Sequence, residues 1–434
     1  MAGEWSQSTV ADIAAPVRNA LVGGPFGSNL VSRDYVETGV PVIRGQNMGA
    51  RWVTGEFAFV TREKTRSLEA NLAHAGDIVF TQRGTLGQVA VVPSKPYECY
   101  LISQSQMKLT VNREVADPLF YYYVFSSVEQ QGYIRQHAIQ TGVPHTNLGI
   151  LRQTPVPLPP LREQRAIAHI LGTLDDKIEL NRRTNETLEA MGRALFRSWF
   201  ANLHTVRAEV ADLTREGLLE IGDGYRAKNS ELRGPGLPFI RAGNLRAGFD
   251  MRGADVLHQD SVAKAGSKVS RPGDVAFTSK GTIGRFARVT EFTQPFVYSP
   301  QVCFWRSLDR ERLQPAILYC WMQSEDLRAQ IDAVAGQTDM APYVSLRDQR
   351  MMEVPVFPES QAAIARRLDV FLGRQALATE ENKVLAAVRD ALLPKLISGE
   401  LRIEDTERFL PGGVMADTNI VPERTEHTAE RLGS

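Results

Sequence analysis

Two short stretches carry residue types suited to holding a phosphate. Arg83-Gly-Thr-Leu-Gly87 and Lys280-Gly-Thr-Ile-Gly284 each follow a β-type run and set a cation, a Gly, a Thr and a second Gly in one order. Glycine lets a backbone approach an oxygen closely, and the cation of Arg83 or Lys280 and the hydroxyl of Thr85 or Thr282 could reach the same group. A plain glycine hairpin turn would use the same residues. Arg44, Gln46 and Asn47, with Arg241 and Asn244 further along, carry side chains that match purine edges: Arg suits guanine, Asn or Gln suits adenine. A structural turn with a satisfied arginine is the other reading. Gln104 and Gln106 against Ser299 and Gln301, and residues 141–147 with His145 and Asn147 against residues 338–344, hold equivalent places with different residues. His145 is a lone histidine and suits a hydrogen-bonding loop better than catalysis. Phe196, Trp199 and Phe200 read as core rather than as a base-stacking platform.

These stretches come in pairs because the chain is a duplication. Gly39-Val-Pro-Val-Ile-Arg-Gly-Gln-Asn47 returns as Gly236-Leu-Pro-Phe-Ile-Arg-Ala-Gly-Asn244. Gly76 through Gly87 returns as Gly273 through Gly284, and Gln164, Ile167 and Ala168 return as Gln361, Ile364 and Ala365, always 197 residues later. So long a period exceeds that of a solenoid, and each copy is a domain with a connector. Residues that differ between the copies are candidates for reading different targets, whereas shared residues serve the framework or grip phosphates.

The first part of each copy, residues 1–158 and 204–356, is rich in short β-type runs such as Asp77–Phe80, Gln88–Val92 and Gln106–Val111, broken by Gly and Pro. Helical stretches are expected at Pro118–Gln131 and Pro315–Val334. The class is α+β: two mixed α/β domains with largely non-parallel strands, each followed by a long helix. The connectors are residues 159–203 and 357–400. After Val156-Pro-Leu-Pro-Pro160 a helix is expected from Leu161 to Ala201. Its heptad places Leu171, Ile178 and Asn185 at position a, and Ile167, Leu174, Asn181, Leu188 and Leu195 at d. The second copy places Leu368, Gln375 and Asn382 at a, and Ile364, Phe371, Ala378, Leu385 and Leu392 at d. Either each stripe packs on its own domain, or the helices pair with one another. Matched seams with asparagine at equivalent positions favour an antiparallel, register-defined pair with pseudo-two-fold symmetry. Ile170, Met191 and Phe196 lie beyond the seam and are expected to mark an interface.

The 434 residues hold 50 Lys+Arg and 50 Asp+Glu, a balance that argues against indiscriminate polyanion binding but leaves room for a basic face. From Glu400 onward eight acids face four arginines, and residues 401–434 read as an acidic, disordered tail. Cys99, Cys303 and Cys320 are scattered, which points away from structural zinc and a disulfide framework. No apolar run nears the roughly 20 residues of a membrane span, and no secretory pattern opens the chain, so the cytoplasm is the expected compartment.

Together the segments resemble the specificity subunit of type I restriction-modification systems. Gly24-Pro-Phe-Gly-Ser-Asn-Leu30 with residues 39–47 is similar to the start of one type of target-recognition domain. Leu158-Pro-Pro-Leu-Arg-Glu-Gln-Arg-Ala-Ile-Ala168 and Ala194-Leu-Phe-Arg-Ser-Trp-Phe200 resemble the two ends of the central spacer helix, and Ala391-Leu-Leu-Pro-Lys-Leu-Ile-Ser-Gly-Glu-Leu401 resembles the family's C-terminal signature. The second copy departs from the pattern with Val356-Phe-Pro-Glu-Ser360 in place of Leu-Pro-Pro-Leu. The resemblance implies two target-recognition domains, each reading half of a bipartite double-stranded DNA site. It also implies two docked modification subunits that use S-adenosylmethionine, and a restriction subunit that uses ATP and magnesium.

The chain itself has no Asn/Asp-Pro-Pro-aromatic tetrad, no Phe-x-Gly-x-Gly and no Gly-x-x-x-x-Gly-Lys-Ser/Thr loop, so it is expected to bind no cofactor and to catalyse nothing. A self-contained DNA methyltransferase or endonuclease is the competing reading. A coiled-coil scaffold without a nucleic-acid role is another.

Overall fold

The computed structural model describes residues 5–139, 144–201, 206–246, 248–335, 343–355 and 361–403. They fold as two compact units, residues 5–177 with 385–403, and residues 178–384.

In unit 1, β1 (Ser6–Thr9) leads into α1 (Val10–Ile13) and pairs with β11 (Pro155–Leu158). A four-stranded antiparallel sheet runs in the order β2 (Leu21–Gly23), β10 (Gln106–Leu109), β7 (Ile78–Thr81), β8 (Val89–Val91). A five-stranded sheet runs β3 (Tyr35–Val36), β5 (Ala58–Val60), β4 (Val40–Ile43), β9 (Tyr100–Ile102), β6 (Leu72–Ala73), and only β4 and β9 are parallel. The helices are α2 (Arg62–Ser67), α3 (Pro118–Ser126), α4 (Val128–Gln136), α5 (Leu148–Gln153) and the first part of α6 (Leu161–Ala201).

Unit 2 repeats this plan. β12 (Arg207–Glu209) pairs with β20 (Glu353–Pro355), with α7 (Val210–Arg215) following β12. The four-stranded sheet is β13 (Leu219–Gly222), β19 (Val302–Ser307), β16 (Val275–Thr278), β17 (Phe286–Arg288). A three-stranded sheet holds β15 (Asp255–His258), β14 (Gly236–Ile240) and β18 (Val297–Tyr298), again with one parallel pair, β14 and β18. Helices α8 (Gln259–Ala265), α9 (Pro315–Met322), α10 (Glu325–Ala335) and α11 (Leu346–Arg350) precede α12 (Gln361–Ser398). Elements opening at Ile78, Val89, Tyr100, Pro118 and Val128 have counterparts opening at Val275, Phe286, Val297, Pro315 and Glu325, each 197 residues on.

The central strands are buried on both faces, so they read as continuous apolar runs. In β7, Ile78 and Phe80 point into a core with Phe120, Tyr121, Val124, Ile167 and Leu171, while Val79 faces Ile43, Ala90 and Ile102. In β16, Val275 and Phe277 join Trp305, Trp321 and Leu368, while Ala276 faces Ile240 and Tyr298. The period of two assigns alternate residues to opposite cores. Fully burying each such aliphatic side chain contributes roughly 1.5–3 kcal/mol.

The helical stretches expected at Pro118–Gln131 and Pro315–Val334 are each two helices. Ser127 is the reason in unit 1: it ends α3, and its hydroxyl accepts from the Gln130 N–H at 3.2 Å to cap α4. Helix α6 has the expected bounds. Helix α12 continues through Pro394 and stops at Gly399, whose φ of 78° suits the left-handed residue past a helix end.

Both readings of the seam hold, at different levels along the helices. In unit 1, Leu171 of α6 and Leu396 and Ile397 of α12 share the domain core, and Arg389 donates to Asp175 at 2.8 Å. In unit 2, Leu368 joins that unit's core, while Leu188 and Phe371 are half-buried, as are Leu174 and Leu385 of unit 1. The middle level of unit 2 is polar. Asn181 donates to Asn382 Oδ1 at 2.9 Å, Asn382 donates to the Ile178 carbonyl at 3.2 Å, and Gln375 donates to the Asn185 carbonyl at 2.9 Å. Partner numbers fall on α12 as they rise on α6, so the segments are antiparallel. Asn185 and Asn382 therefore do not face each other, because antiparallel helices bring a opposite d.

Ile170 and Phe196 are not surface markers: Ile170 packs against the core of unit 1 and Phe196 is buried in that of unit 2. Met191 is exposed, as are Val370, Leu377 and Val384, which recur every seven residues on α12. The tail from residue 404, the 356–360 segment and parts of both variable stretches, 141–143 and 338–342, lie outside the described residues.

Candidate nucleic-acid interface

Four loops of unit 1 meet at one end of its central strands. They are Arg44–Asn47 after β4, Gln82–Gln88 between β7 and β8, Ser103–Ser105 between β9 and β10, and Pro144–Asn147 before α5. The Ser103 N–H donates to the Ile43 carbonyl at 3.0 Å, that of Gln82 to Ser105 at 2.7 Å, and that of Thr146 to Gln82 at 3.0 Å. Unit 2 repeats the bonds: Ser299 N–H to Ile240 at 3.0 Å, Ser279 to Gln301 at 3.1 Å, and Val344 to Ser279 at 3.0 Å. Arg83 pairs across a backbone bridge with His145, as Lys280 does with Tyr343. Stretches more than 50 residues apart in sequence thus form one surface in each unit.

The side chains on these loops divide into two groups. Arg83, Thr85, Lys280 and Thr282 are exposed at the tips of glycine turns, with Gly84 at φ 96° and Gly281 at φ 77°. Gln46 is exposed and donates to the Glu56 carbonyl at 3.2 Å. Gln301 is exposed and accepts from the Ala242 N–H at 3.3 Å, while Gln104 spends its amide on the carbonyls of Gly27 and Leu30. Lys280 lies 4.5 Å from the centre of the Tyr343 ring, and burial pushes that phenol above its ordinary range, keeping it neutral.

The second group is bonded within the fold or lies partly or wholly buried. Asn47 accepts from the Arg44 N–H at 3.0 Å and donates to Thr54 and Glu56, and Asn244 accepts from the Arg241 N–H at 3.0 Å and donates to Asp250. This shared asparagine pins a one-turn helix in both copies, satisfying backbone groups that would otherwise be orphaned. Asn147 caps α5 through the Ile150 N–H at 2.9 Å. Gln106 and Ser299 are buried, and Arg44 and His145 are half-buried. Arg241 is bound twice to Asp255, at 2.8 and 3.1 Å, and its guanidinium lies over Phe239. Among the described residues no group of three His, Cys, Asp or Glu is placed to hold a metal.

The family described as the type I restriction modification DNA specificity domain matches residues 30–190. Over 429 residues the chain is 23% identical to the type I restriction enzyme MjaIX specificity subunit of Methanocaldococcus jannaschii, covering 93% of this chain and 94% of that protein. Over nearly its whole length the chain is thus similar to type I restriction-modification specificity subunits. It is also 30% identical over 160 residues to the HindI specificity subunit of Haemophilus influenzae, covering 36% of this chain and 33% of that protein. A crystal structure of a type I system S subunit from M. genitalium shares the fold, with a TM-score of 0.62 at 16% identity over 92% of this chain and 97% of that one.

A specificity subunit recognises DNA and is not the catalytic component of its system. Two aromatic residues of the loop surface lie in stretches singled out from the sequence, although neither was named there as a contact. Tyr343 supplies the ring beneath Lys280, and Phe26, in the loop after β2, is 86% exposed. Gly24-Pro-Phe-Gly was a signal for a turn at that place, but exposure of the aromatic residue cannot be read from residue type.

Proposed function

We propose that each unit reads one half of a bipartite double-stranded DNA site through its loop cluster, and that the α6 and α12 helices set the number of unread base pairs between the halves. The target-recognition domains are residues 1–158 and 204–356, with connectors 159–203 and 357–400. The carrying observation is the duplicated loop cluster: its pinning asparagines are shared, while neighbouring residues such as Gln46 and Gly243, or His145 and Tyr343, differ between the copies. Arg83, Thr85, Lys280 and Thr282 grip phosphates, and the differing residues reach base edges.

Two modification subunits dock on the helices and supply S-adenosylmethionine chemistry, and a restriction subunit brings ATP and magnesium. Exposed Val370, Leu377 and Val384 at heptad spacing support helix docking. Among the described residues no helix is long and apolar enough to cross a membrane, and the assembly works in the cytoplasm, where its DNA lies. Long-read sequencing of methylated positions in the host genome tests the whole reading. A two-part motif with a fixed unread gap, lost when the gene for this chain is deleted, is the expected result. A continuous motif or an unchanged methylome would refute it.

A further inference from the structure

Among the described residues, Phe26 has the highest fractional exposure of the large apolar side chains, yet its loop is tied down along its length. The Gly24 N–H donates to the Gln106 carbonyl at 2.8 Å, the Asn29 N–H donates to Phe26 O at 3.2 Å, and the Gln104 amide holds the carbonyls of Gly27 and Leu30. Gly24 is required there, since a Cβ would lie 1.9 Å from the Ser103 carbonyl oxygen. The same Ser103–Gln106 turn holds Gln82, next to Arg83. Phe26 therefore stands on the loop surface that carries the phosphate-binding candidates, on a platform ordered before any partner arrives. Gly27, at φ 56° and with open space around it, lets a nucleic-acid backbone come close.

Unit 2 makes a different choice at this place. Gly224 has the same close approach, 2.2 Å from the Ser299 and Tyr298 carbonyl oxygens to a built Cβ. The next residue, Tyr225, is half-buried with its hydroxyl on Glu231 at 3.0 Å, and Arg226 is exposed and paired with Asp223 at 2.7 Å. One copy thus presents a bare aromatic ring where the other presents a paired cation.

We propose that Phe26 is a specificity-determining wedge that stacks against, and partly opens, one base step of the half-site read by unit 1. This rests on the DNA-reading function proposed above. An apolar ring held rigidly among phosphate-binding groups gains by leaving water for the face of a base, and it favours steps that unstack easily. Unit 1 then selects in part by the deformability of one step, and unit 2 does not use this device.

The test uses the chain assembled with its modification subunits and a set of target duplexes carrying 2-aminopurine at successive positions through both half-sites. Besides brightening at a base that a modification subunit flips out, which Phe26→Ala keeps, brightening at one further step of one half-site is expected with the native protein, lost in Phe26→Ala and kept in Phe26→Trp. Phe26→Ala should also weaken binding to the target by about ten- to hundredfold, with little change on random duplex. If the native assembly discriminates target from random DNA but every brightening survives in Phe26→Ala and that variant binds normally, the wedge is refuted and the DNA-reading function stands. If Phe26→Ala instead sheds a modification subunit in sedimentation, Phe26 belongs to a protein interface and the wedge is again refuted. Failure of the native assembly to discriminate target from random DNA would overturn the underlying function itself.

Discussion

Replacing Asn181 tests whether the polar level between α6 and α12 is a register device. Asn181 is 4% exposed, and its amide donates to Glu381 Oε2 at 2.8 Å and Asn382 Oδ1 at 2.9 Å. Asn181→Leu strips Asn382 of its donor while keeping a side chain of similar size, and leaving one such group unsatisfied costs about 1–3 kcal/mol. For a unit of roughly 200 residues, each kcal/mol moves the melting temperature by roughly 2–4 °C, so a fall of roughly 2–12 °C is expected. Asn382→Leu should cost a similar amount. The double leucine variant removes both polar groups together, and such exchanges are often neutral or stabilising, so it should melt near the native value. Calorimetry of the assembled complex measures all four proteins, and methylome sequencing reports what the register is for. The double variant, stable but without its polar lock, should methylate sites with more than one gap length. Additive losses in the double variant would refute the coupling, and a single unchanged gap would show that these asparagines do not set the register.

Arg83→Ala and Lys280→Ala should each weaken binding to all sequences alike and lower the slope of log affinity against log salt by about 0.9 for each phosphate no longer neutralised; relaxed choice of one base with unchanged affinity for random DNA would show the assignment wrong. Asp274 is fully buried and binds Arg306 twice, at 2.7 and 2.8 Å, while accepting from the Tyr298 hydroxyl at 3.0 Å. Asp274→Ala should cost about 3–5 kcal/mol because it leaves a buried guanidinium uncompensated, and Asp274→Ala with Arg306→Met should recover most of that loss in a melting experiment. Four residues inserted after Ile178 add about 6 Å of helix, which at roughly 3.4 Å per base pair should lengthen the unread gap by one or two pairs. Changed half-sites with an unchanged gap, seen in the methylome, would show that the helices do not measure DNA.

What could be read without coordinates followed from physics local to the chain. The prolines before Leu161 admit one starting point for α6, and strands buried on both faces carry apolar runs that announce themselves in both copies. Polar side chains were harder. Asn47 and Gln46 are neighbours with similar chemistry, yet the first is consumed by its own backbone and the second is exposed, because a 3₁₀ turn points them in different directions. Whether an amide serves the fold or a ligand depends on which backbone groups lie within hydrogen-bond reach, and those come from distant segments, such as Thr54 and Glu56 for Asn47. The seam positions were legible but their partners were not: Asn185 and Asn382 hold equivalent a positions, and in an antiparallel pair a lies opposite d, so Asn382 meets Asn181. Phe26 shows the limit from the apolar side. Gly24-Pro-Phe-Gly27 suits a turn, but that its ring stands exposed on a loop bonded to Gln104 and Gln106 depends on those distant residues. In a duplicated framework the shared asparagines hold the loops in shape, and the exposed side chains around them are the ones that the shape leaves free for a ligand.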